Sequence, residues 1–104
     1  MTEIAFPEFD LARMHANADE AADLLKTLSN PHRLLILCFL AEGEISVADL
    51  NDRLPLSQSA LSQHLAVLRT HQLIATRRDA QSIYYSLADS NALPIIRTLH
   101  DIYC

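Results

Sequence analysis

Several side chains in this 104-residue sequence offer chemistry beyond packing. Two are thiols: Cys38, inside the apolar run LLILCFL, and Cys104, the last residue of the sequence. Thiolates are nucleophiles and metal ligands, so two of them can serve redox chemistry or metal binding. Gln58, Ser59, Ser62 and Gln63 stand in the stretch SQSALSQHL. Their short amide and hydroxyl side chains suit base edges in a DNA major groove, where glutamine pairs well with adenine. Adjacent Arg77 and Arg78 suit the phosphate backbone or the minor groove. His64 sits at the edge of the same polar stretch, where DNA contact and simple solvation are both open. His100 precedes Cys104 by four residues, so on a helix both share a face, and an imidazolium there would favour the thiolate. His15, His32 and His71 read as surface residues.

Other chemistries are missing. With a single glycine there is no phosphate-cradling loop, and no nucleophile–base or paired-carboxylate arrangement is visible, so the chain reads as a non-enzyme with no cofactor. Without a Cys-x-x-Cys or a βαβ pattern it does not read as a thiol oxidoreductase. The start, MTEIAFPEF, lacks a basic region ahead of an apolar stretch, and the apolar run Leu34–Ala41 is too short to cross a bilayer. A cytoplasmic protein is expected, where thiols are held reduced, so any link between the cysteines would be conditional. The net charge is −5, yet Arg53 to Ala88 carries four arginines against one acid, +3, leaving −8 for the rest. A locally basic stretch on an acidic body can still bind phosphate.

The elements that must position these residues follow from spacing and punctuation. At 104 residues with 50% apolar content, the chain is one domain with a core. Ala21, Leu24, Leu25 and Leu28 give a first helix over 18–28, preceded by an N-terminal arm, residues 1–17. Asn30 as N-cap, Pro31 at the first position and Gly43 past the end frame a second helix. A third covers about Val47 to Arg53 and stops near Leu54, because Pro55 disfavours helix before it. Ser57 caps a fourth, with Leu61, Leu65 and Leu68 on one side and Ser59, Ser62, Gln63 and Ala66 well away from them. LIATRR and SIYYSLA, split by DAQ, read as a hairpin in which Tyr84 and Tyr85 face opposite ways. A last helix carries Leu93, Ile96, Leu99 and Tyr103 on one side. The fold class is therefore mainly α with a small β-hairpin, a winged helix-turn-helix of order α-α-α-α-β-β-α over residues 18–104.

The stretch LSQSALSQHLAVLRTHQLI followed by ATRRDAQSIYYSL resembles the recognition helix and wing of the ArsR family of bacterial transcriptional regulators, and LLKTLSNPHRLLILCFLAEGEISVADL resembles its preceding helices. The motif Ser-Gln-Ser-x-x-Ser-x-His-Leu-x-x-Leu is carried by Ser57, Gln58, Ser59, Ser62, His64, Leu65 and Leu68. The resemblance implies a homodimer through the first and last helices, binding an imperfectly palindromic double-stranded DNA operator. Where many members have a wing-tip glycine, this chain has Ala80.

The family's metal sites are not matched. Ser46 and Ala48 stand where thiolate-type members carry Cys-x-Cys. Asp89 remains from the zinc-type site, but Asn91 and Ile102 replace its partners, and one carboxylate cannot hold a tetrahedral zinc. The placement of Cys38 and Cys104 instead resembles the HlyU/BigR-like branch, which implies sensing of reactive sulfur species through a reversible Cys38–Cys104 link. An alternative keeps the DNA-binding half but uses Cys38, Cys104 and His100 as metal ligands. A helical adaptor that does not bind DNA would explain the acidic body and leave the polar helix face unexplained.

Overall fold

The computed structural model describes residues 10–104. Helix α1 spans Leu11–Leu28, with the Asp10 carboxylate accepting from the Arg13 amide. It begins seven residues earlier than the apolar spacing suggested, inside the stretch read as an arm. Residues 11–23 are exposed, so no buried stripe marks this part of the helix; its Asp10 cap and lack of glycine or proline carry it. The arm's first nine residues lie outside the described ones.

Helix α2 spans Pro31–Glu42, and the Asn30 side chain accepts from the amides of His32 and Arg33. Gly43 ends it at φ +146° and ψ 175°, a conformation that favours glycine. The two-residue strand β1, Ile45–Ser46, leads into α3, Val47–Arg53, where Ser46 is also the N-cap. Helix α4 spans Gln58–Thr70 and is capped by Ser57, whose hydroxyl accepts from the Ala60 amide at 3.1 Å. Strands β2, Ile74–Asp79, and β3, Ser82–Leu87, form the wing, and α5 spans Leu93–Tyr103.

The sheet has three strands in the order β1-β3-β2, all antiparallel, so the hairpin has a partner that spacing did not reveal. A two-residue strand offers no alternation to read. Its pairing of Ile45 with Tyr85 and Ser46 with Tyr84 ties the start of α3 to the wing.

The core lies where α2, α3, α4, α5 and the sheet meet. Ile36, Leu50, Leu61 and Leu68 are its largest fully buried side chains, each worth roughly 1.5–3 kcal/mol of transfer free energy. Leu61, Leu65 and Leu68 are all buried, so α4 presents its opposite face outward. Helix α1 buries Thr27 and Leu28 and packs the half-buried Leu24 against the core. The radius of gyration, 16.9 Å, exceeds the ~13 Å of a compact chain of this size, and the extents of 59 × 26 × 22 Å fit a helix standing off the body.

Candidate functional site: a sulfur-linked helix seam and a polar recognition face

Cys38 lies on the third turn of α2 and Cys104 directly follows α5. Sixty-six residues apart in sequence, they are joined as a disulfide with a Cα–Cα distance of 6.3 Å, inside the range that such a bond spans. Cys38 is half-buried and Cys104 exposed. The sulfurs border a cleft of about 330 Å³ walled by Leu34, Leu37, Ile96, Leu99 and Tyr103, with His100 as its main polar member. Of the side chains expected on the inner side of α5, Ile96 is buried, Leu93 and Leu99 are half-buried and Tyr103 is exposed.

His100 does not simply face the thiol. Its Nε2 lies 2.7 Å from Glu42 Oε1, and its Nδ1 lies 3.5 Å from Asp101 Oδ1. The hydrogen bond with Glu42 raises the imidazole above its ordinary value, with burial opposing and Asp101 assisting. Any imidazolium charge is thus shared with two carboxylates, which weakens its pull on the sulfur of Cys104. Among the described residues, no group of three or more His, Cys, Asp or Glu side chains is placed to hold a metal ion.

The second region is the outer face of α4. Gln58, Ser59, Ser62 and Gln63 are all exposed there, opposite the leucine stripe. The Ser59 hydroxyl lies 3.3 Å from that of the cap Ser57, which orients it at the helix start. His64 is half-buried instead: its Nδ1 accepts from Arg33 Nε at 3.4 Å, and its ring centroid is 5.7 Å from that of His32. Burial, then Arg33 and His32, lower its pKa, so the neutral ring with its proton on Nε2 is favoured. Arg33 also donates to the Thr27 carbonyl at 3.1 Å, joining the end of α1 and the start of α2 to the middle of α4. His32 is thus not the plain surface residue that its sequence context suggested, since its Nδ1 is buried; His15 and His71 are exposed.

The two wing arginines part company. Arg77 is held by Glu44, with Nε 3.0 Å from both carboxylate oxygens and Nη2 2.7 Å from Oε1. Its guanidinium carbon lies 4.5 Å from the ring centre of Tyr84, its cross-strand neighbour. Tyr84 is thus half-covered by Arg77, while Tyr85 packs against the core. Arg78 is exposed, and among the described residues no carboxylate pairs with it. Sequence reasoning missed Arg33, Glu42, Glu44 and Tyr84. The carboxylates sit 58 and 33 residues from their partners, and nothing local marks them.

A short helix, a four-residue link that ends on the Ser57 cap, a helix with an unburied polar face and a β-wing together define a winged helix-turn-helix DNA-binding protein. The family model for the bacterial regulatory protein, arsR family, matches residues 30–76. The transcriptional activator HlyU of Vibrio cholerae is 47% identical over 95 residues, covering 91% of this chain and 88% of that protein. The biofilm growth-associated repressor of Agrobacterium fabrum is 45% identical over 97 residues, covering 93% and 83%. The crystal structure of the transcriptional repressor BigR from Xylella fastidiosa superposes with a TM-score of 0.85 at 41% identity, covering 91% and 94%. The chain belongs to the ArsR family of transcriptional regulators, within the HlyU/BigR branch. It is a DNA-binding regulator and not an enzyme. No described helix is long and apolar enough to cross a membrane.

Proposed function

We propose that this protein is a cytoplasmic, homodimeric regulator whose operator affinity is switched by a reversible sulfur link between Cys38 and Cys104. The observation that carries the proposal is the meeting of these two distant cysteines across the α2–α5 seam, with Cα atoms 6.3 Å apart. Two named relatives, an activator and a repressor, share most of this chain's length.

The exposed apolar residues support a dimer. Leu11, Met14 and Leu25 of α1 and Ile95, Ile102 and Tyr103 of α5 are all large and more than a third exposed. A second copy covering them would remove this apolar surface from water. Two-fold symmetry then sets the α4 helices about 34 Å apart, one turn of DNA, over an imperfect palindrome. Gln58, Ser59, Ser62 and Gln63 read bases, and Arg78 contacts phosphate. Arg77 shapes the wing through Glu44 and Tyr84, with its remaining exposed edge toward the backbone. His64 steadies the helix from behind.

The inducer is a reactive sulfur species such as a persulfide, RSSH. The exposed Cys104 thiolate attacks the outer sulfur, releasing RSH and leaving a persulfide on Cys104. Cys38 then attacks the inner sulfur, forming the disulfide and releasing hydrogen sulfide. The two protein thiols are oxidised, and the sulfane sulfur is reduced. Closing the link fixes α5 against α2, and because α5 also carries the dimer face, the two α4 helices lose their spacing.

The test is to incubate reduced protein anaerobically with polysulfide, and in parallel with peroxide or zinc, and to record intact mass and alkylation. Loss of two hydrogens, with or without added sulfur, and protection of both thiols is expected, together with weakened operator binding. Thiols that stay alkylatable would overturn the sulfur switch, and stoichiometric zinc retention by native protein would favour the metal-ligand alternative.

A further inference from the structure

Helices α2 and α5 run antiparallel along their contact, and two cross-links follow one register. Cys38 meets Cys104; four residues after Cys38, Glu42 meets His100, which stands four residues before Cys104. Burial gives the last turn of α5 little hold. Ile96 is the buried residue of the helix, whereas Ile102 and Tyr103 are 65% and 80% exposed. With the sulfurs apart, packing within one chain therefore holds Cys104 beside Cys38 only weakly, since Ile102 and Tyr103 lie on the face proposed for the partner copy. The Glu42–His100 contact, at 2.7 Å, spans the same seam and involves no sulfur atom.

We infer that Glu42 and His100 are positioning residues for the thiol pair: their contact docks the last turn of α5 on α2 in the dithiol state and sets how readily Cys38 and Cys104 become linked. This rests on the sensing role proposed above and adds a part that the cysteines themselves do not supply. A contact that pre-organises two groups raises the effective concentration of one at the other. Thiol exchange with glutathione reads that quantity: the protein dithiol and glutathione disulfide give the protein disulfide and two glutathione thiols, the protein being oxidised and glutathione reduced.

The experiment equilibrates the wild type, Glu42→Gln, His100→Gln and the double variant in a series of glutathione redox buffers. Alkylation after acid quenching and intact mass give the linked fraction. Each single variant should lower the equilibrium constant by about two- to five-fold, as expected for an exposed ion pair. The double variant should fall no further than the singles, because all three lack the same contact. Equal constants in all four proteins, or losses that add in the double variant, would overturn the positioning role alone. A wild type that stays dithiol in every buffer would overturn the positioning role, and the sensing role falls with it only if polysulfide also leaves both thiols alkylatable.

Discussion

Arg33 Nε lies 3.4 Å from His64 Nδ1, and the same guanidinium donates to the carbonyl of Thr27. One side chain at the start of α2 thus joins the end of α1 to the recognition helix. Only a neutral His64 can accept at Nδ1, and burial, Arg33 and His32 all hold its pKa below the ordinary 6.5. The depressed value sets the sign. The contribution is present above about 6.5, the unfolded value, and is lost as pH falls through the folded one. Titration of the His64 ring by NMR should therefore show a midpoint below 6.5, moving upward in Arg33→Gln. An unmoved midpoint would leave burial and His32 as its determinants.

His100 has the opposite sign. Its hydrogen bond with Glu42 raises the pKa, so the charged contact is fully present below about 6.5 and is lost as pH rises through the raised value. In the reduced protein, the His100 resonance should titrate above 6.5, and Glu42→Gln should bring it down. Should the variant and the wild type titrate alike, the 2.7 Å contact is not formed in solution.

Two backbone positions carry predictions of opposite direction. Gly43 sits at φ +146°, and a Cβ there meets no atom within 4 Å, so Gly43→Ala costs backbone strain alone, roughly 1–3 kcal/mol. Ala80 at the wing tip sits at φ +55°, where glycine is more at ease. Ala80→Gly should gain about 0.5–1 kcal/mol, since relief of the left-handed strain exceeds the added freedom of the unfolded chain. Urea unfolding of the reduced forms checks both.

On DNA, Gln63→Ala should weaken operator binding by about 1–3 kcal/mol while thermal unfolding stays unchanged, because the side chain is exposed. Arg78→Ala should weaken binding to all sequences and lower the salt slope by about one. Arg77→Ala should change that slope less, since its charge already faces Glu44, and should loosen the wing instead. Binding titrations at several salt concentrations separate the three, and an unchanged Gln63→Ala would remove α4's outer face as the reader.

What the sequence disclosed and what it withheld divide by range. Asn30, Pro31 and Gly43 framed α2, and Ser57 with three leucines framed α4, because caps and helical periods act within a few residues. The start of α1 was hidden because it buries nothing in this chain, and β1 because two residues cannot alternate. The polar face of α4 was legible as residue types at a period. By contrast, Arg77 reads as an uncommitted cation until the sheet brings Glu44 and Tyr84 to it, and His64 as a helix-edge residue until Arg33 reaches it. Such pairings are set by topology, which local spacing does not encode.

The most direct single measurement is operator affinity of one protein sample before polysulfide, after it, and after reduction, beside Cys38→Ser and Cys104→Ser treated in the same way. Reversible loss of affinity in the wild type, absent from both variants and accompanied by protection of both thiols, is the predicted result. Affinity that stays constant while the Cys38–Cys104 link forms and breaks would contradict the switch.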